Sequence, residues 1–171
     1  MAEEAAEREV VLVHPARDKP VVKATKAVVI LLLLGSAGLM VIVTIGGWQA
    51  LAGLQVVQIG YIIVYLVLAF YCARWNRGVL PVAAALAIVL LILAAVAGPQ
   101  WFDRDRSGYT QPNMNADLVG LLTLLLIPLQ VLLIGFAMRG FGQDWHVEIE
   151  EPSDEGYGGS YGPGEPVPGA A

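Results

Sequence analysis

The chain has 171 residues, 57% of them hydrophobic and 15% charged, with a formal net charge of −5. Soluble domains run roughly 45–50% apolar and about 25% charged, so this composition excludes an ordinary soluble domain and points to lipid as the solvent. A lone cysteine, Cys72, excludes an intrachain disulfide.

The first 25 residues, with Lys26 just after them, carry five bases and five acids and read as a solvated tail. Four long apolar stretches follow, predicting helices over about 27–46, 54–73, 80–98 and 117–138. Each is close to the roughly 20 residues that cross about 30 Å of hydrocarbon. The predicted fold is therefore all-α, an integral membrane four-helix bundle spanning 26–139, with disordered cytoplasmic tails. An outer loop covers 99–116 and an acidic tail covers 140–171.

The first stretch also admits a signal-peptide reading, with Ala50-Leu51-Ala52 as a cleavage site. A 26-residue lead that mixes acids and bases argues for a retained helix, because signal peptides have short positive leaders and shorter apolar cores. Lys23 and Lys26 stand before this helix, where they can snorkel. Trp48 and Trp75 fall where interfacial aromatics belong, and Gly98-Pro99 is the expected stop of the third helix. Asp117 is the expected N-cap of the fourth.

The second helix is the most polar. Gln55, Gln58, Tyr61 and Tyr65 recur at spacings that share one helix face, with Cys72 further along it. A glutamine in lipid needs a partner, so this face is expected to point inward. It serves either as glue between helices or as the lining of a solute path. Pro128 lies inside the fourth helix, where it removes one backbone bond and predicts a kink. Thr123 and Gln130 stand near enough to satisfy loosened backbone groups. Gly35, Ser36 and Gly38, and the pairs Ala83/Ala87 and Ala94/Gly98, let helix backbones approach closely, within the chain or in a homo-oligomer.

The loop Asp103-Arg104-Asp105-Arg106-Ser107-Gly108-Tyr109 has the oxygen spacing of the first half of a calcium loop. Asp103, Asp105 and Ser107 would be its side-chain ligands. Position twelve is Met114, where such a loop needs a bidentate glutamate, and a turn held by Asp and Ser side chains explains the pattern as well. His14 and His146 have no ligand set around them. Beyond Asp117 at the cap of the fourth, the predicted spans hold no Asp, Glu, Lys, Arg or His, which argues against proton relays, ion-coupled carriers and voltage sensors.

Eight of the ten Lys and Arg residues fall on the side of the two tails and the loop at Arg74 and Arg77. Only Arg104 and Arg106 fall on the other side. The positive-inside rule then puts both termini in the cytoplasm of a cell-membrane protein. Seven acids in the C-terminal tail exclude nucleic acid and anionic lipid as its partners. Its Gly/Pro/Tyr-rich end, from Gly156 onward, is low-complexity sequence. Within the tail, Trp145, Val147 and Ile149 alternate with polar residues, a period of two that would suit addition to a sheet edge on a protein partner.

Two readings of function follow. One is a non-enzymatic accessory or scaffold subunit that packs in the bilayer and offers its tails to partners. The other is a small oligomeric channel or transporter that uses the polar face of the second helix. A membrane enzyme ranks behind both, since no acid, base or metal set shares a site, and no cofactor is expected.

Overall fold

The computed structural model describes residues 10–13, 19–51, 53–104, 110–143 and 149–152. Four long helices dominate: α1 (Pro20–Gly46), α2 (Gln55–Ala73), α3 (Val79–Gln100) and α4 (Ala116–Phe141). All four are long and apolar enough to cross a membrane. Large side chains such as Val56, Ile63, Phe70, Ile92 and Leu121 stand exposed around the bundle. That surface is stable only against hydrocarbon, so this is a multi-pass membrane protein.

The helix bounds depart from the apolar stretches for local reasons. α1 starts at Pro20, seven residues before the charge-free run, because proline's fixed φ and missing N–H suit a first turn. At 27 residues it is roughly 40 Å long, more than the hydrocarbon needs, so the turns carrying Lys23 and Lys26 reach the interface. The expected stop at Gly98-Pro99 is overrun: α3 continues to Gln100 with Pro99 inside its last turn. The cap of α4 is Asn115 rather than Asp117; its side-chain oxygen accepts from the backbone N–H groups of Asp117 (2.8 Å) and Leu118 (3.4 Å). Asp117 instead places its charge in the first turn, at the positive end of the helix dipole. α4 runs unbroken through Pro128.

The helices form an open ring. α1 packs against α2 and α4, and α3 packs chiefly against α4, whereas α2 and α3 barely touch although they follow one another in sequence. The small residues of α3 explain the α3–α4 contact. Ala83, Ala87, Ala94 and Gly98 are buried, and a Cβ built on Gly98 would lie 2.5 Å from the Leu124 side chain of α4. The small pairs seen in sequence therefore pack within the chain.

The two ends of the bundle are closed differently. At the end where the tails leave, the Arg77 guanidinium donates to the Phe141 carbonyl at 2.8 Å and covers that residue's ring at 4.3 Å. The Gln143 amide donates to the Thr25 hydroxyl at 3.1 Å, tying the exit of α4 to the start of α1. Trp75 ends α2 in a left-handed conformation, φ 63°, with the Lys26 ammonium 3.8 Å from its ring centroid. At the far end, Asn113 Nδ2 and the Met114 N–H donate to the last carbonyls of α1, Ile45 (3.3 Å) and Gly46 (3.1 Å). These groups have no partner within α1, so the loop supplies one.

Of the tails, expected to be disordered, the structure describes two short strands. β1 (Val10–Val13) pairs antiparallel with β2 (Ile149–Pro152), in the register Val13 opposite Ile149 and Val10 opposite Pro152. A strand from each tail can pair only if both tails leave the same end of the bundle, as an even number of crossings requires.

Candidate functional site

The polar face of α2 distributes its residues over three settings. Gln55, at the start of the helix, turns to the far-end loop: its oxygen accepts from the Gly53 N–H and its amide donates to the Trp48 carbonyl, each at 2.8 Å. It fastens the entry to α2 and does not face the bundle interior. One turn on, the Gln58 oxygen accepts from the Thr44 hydroxyl of α1 at 2.6 Å. Thr44 also lies 2.6 Å from the Met40 carbonyl of its own helix.

Tyr65 is fully buried, and its hydroxyl donates to Gln130 Oε1 of α4 at 2.8 Å. The Gln130 amide donates in turn to the Ser36 hydroxyl of α1 at 2.9 Å. Gln130 and Ser36 are also fully buried. One chain of hydrogen bonds thus links α2, α4 and α1 in the middle of the bundle. Tyr61 sets its ring edge-on to that of Tyr65, 6.0 Å between centroids. Cys72 is buried further along the same face.

The groups expected near Pro128 are engaged elsewhere. The Thr123 hydroxyl donates to the Val119 carbonyl, 2.8 Å away and one turn back in α4. Gln130 is spent on Tyr65 and Ser36 rather than on the backbone that the proline loosens. The partners on α1 and α4, Thr44 and Ser36 above all, are what the sequence did not single out as polar contacts. Their small hydroxyls sit among apolar neighbours and look like ordinary helix spacers.

The open side of the ring leaves a groove. It occupies about 290 Å³ between α2 and α3, floored by α1 and α4, and is confined to the far-end half of the bundle. Met40, Val57, Leu90, Leu93, Ala94 and Leu126 form its apolar body. Gln58, Gln100 and Trp101 line it towards the rim. Beside the rim, Trp101 supports the Arg104 guanidinium, 4.3 Å from its ring, and Arg104 donates to the carbonyls of Ala50 (3.4 Å) and Thr110 (3.3 Å).

The calcium candidates are placed only in part. Asp103 is exposed at the end of α3, while Asp105 and Ser107 lie outside the described residues. Among the described residues no group of three or more His, Cys, Asp or Glu comes together to hold a metal. Of the tail motif, Ile149 pairs with Val13, while Trp145 and Val147 lie outside the described residues.

Compared with protein-family models, with curated proteins and with solved structures, the chain matches none of them.

Proposed function

We propose that the chain is a non-enzymatic accessory or scaffold subunit of a membrane assembly, with both ends in the cytoplasm. One observation carries this reading: the fully buried polar side chains at the centre of the bundle are spent on one another. Tyr65, Gln130 and Ser36 satisfy each other across three helices. A solute path needs polar groups free to replace the solute's water, whereas here they fix how the helices are rotated. The asymmetry of Lys and Arg supports the orientation. The tails, charged where the spans are not, offer the surface for a partner.

The test is gentle purification of the full-length protein followed by native mass spectrometry. A stoichiometric unrelated protein is expected, released when the chain is cut after Gln143. A homo-oligomer alone, carrying a solute flux that Gln58→Leu abolishes without unfolding the protein, would replace this reading with a channel.

A further inference from the structure

The groove between α2 and α3 has the dimensions and polarity of a site for one lipid chain. Along α3 it runs from Leu90 to Gln100. Ten residues of helix rise roughly 15 Å, half of the roughly 30 Å hydrocarbon core, so the groove is one leaflet deep. A partner's transmembrane helix would need contact through both leaflets and a channel roughly 10 Å wide. The tails of this chain leave from the opposite end of the bundle, so neither is the occupant.

Polarity changes along the groove as it does along a lipid. The deep part, at Met40, Leu90 and Leu126, is apolar; the carboxamides of Gln58 and Gln100 stand towards the rim. Among the described residues Gln58 makes one hydrogen bond, through its oxygen to Thr44, which leaves its amide donors for an acceptor in the groove. Among the described residues no charged side chain lines the groove, which suits an uncharged ligand group. The part of a lipid that joins an apolar chain to an uncharged acceptor at this depth is the glycerol ester.

We propose that the groove holds one acyl chain of a glycerolipid from the far-end leaflet, its ester carbonyl accepting from Gln58. The bound chain closes the ring that α2 and α3 leave open, and it gives the Gln58 amide the partner that hydrocarbon would deny it.

The test uses the full-length protein, delipidated in mild detergent, returned to nanodiscs of palmitoyl-oleoyl-phosphatidylcholine, and released for native mass spectrometry. One retained phospholipid per chain is expected. Ala97→Phe places a ring in the groove from an exposed position and should reduce retention to background. Gln58→Leu should weaken it about fivefold, the worth of one hydrogen bond. This second variant leaves Thr44 its Met40 carbonyl, so it tests the idea even if Ala97→Phe does not fold. Val131→Phe, on an exposed face outside the groove, should retain lipid as the parent does. Absence of retained lipid, or equal loss in Val131→Phe, would reduce the contact to ordinary surrounding lipid and overturn the proposal. A lipid-free dimer that Ala97→Phe dissociates would also overturn it, by making a second copy the occupant.

Discussion

A carboxamide held in hydrocarbon must find its hydrogen bonds inside the protein, and Gln130 finds two, on two different helices. Its worth is set by what each truncation strands. Tyr65→Phe leaves Gln130 Oε1 without its donor; Gln130→Leu leaves the Tyr65 hydroxyl without its acceptor and the Ser36 hydroxyl without its donor. Hydrogen bonds between membrane helices average about 0.6 kcal/mol and reach about 1.7. The Tyr65–Gln130 coupling should lie in that range, measured by reversible unfolding in mixed micelles of the two single variants and the double. Additive losses would show that the two side chains do not act together. The α2 half of this arrangement was legible in sequence, because Gln58 and Tyr65 share a face through helical periodicity, a local property. Its other half was not. Which residue of α1 or α4 meets that face depends on the rotation of each helix about its axis, and that is decided by packing. Gln130 was read as a neighbour of Pro128, which in sequence it is.

At the scale of the element, the four helices were legible because hydrocarbon thickness demands long apolar runs. Their ends were not, because apolarity reports where lipid begins and helices end by other rules. Pro20 starts α1 outside the apolar run, Asn115 caps α4 through its side chain, and α3 passes Gly98 and Pro99. Glycines separate the helix surfaces in the same way. A Cβ on Gly120 of α4 would lie 3.0 Å from the Phe102 ring and from Trp101 Cβ, an atom fixed to the backbone. A Cβ on Gly60 of α2 would meet nothing within 4 Å. Gly120→Leu should therefore cost about 1–3 kcal/mol through overpacking. Gly60→Leu should leave the melting temperature unchanged or raised, since it exchanges a poor helix former for a good one at a lipid-facing site. Thermal unfolding in one detergent compares them. Equal destabilisation would mean that α2 presents Gly60 to another protein surface rather than to lipid.

For the whole molecule, chain order and packing order differ. α2 and α3 are joined by a short loop yet part company towards the far end, and the ring is completed by α4 lying between α1 and α3. No periodicity announces this, because a loop of a few residues fixes only that its helices run antiparallel. What fixes the order is the fit of partners: small residues of α3 under α4, and Gln130 of α4 between Tyr65 and Ser36. The number of crossings has a consequence independent of that order. Four spans, and a strand pair drawn from both tails, put both termini on one side and the loop before α4 on the other. In the orientation proposed from the distribution of Lys and Arg, the terminal side is the cytoplasm. In a Cys72→Ala background, a cysteine at exposed Thr110 should react with an impermeant maleimide added to intact cells. Cysteines at Glu3 and Glu165 should react only after the membrane is opened. Labelling of Glu3→Cys and Thr110→Cys from the same side would require an even number of crossings between them, leaving one of the first three helices out of the bilayer. The hydrogen bonds that join α1, α2 and α4 would then have to form in some other setting, and the packing order derived from them would fall with the topology.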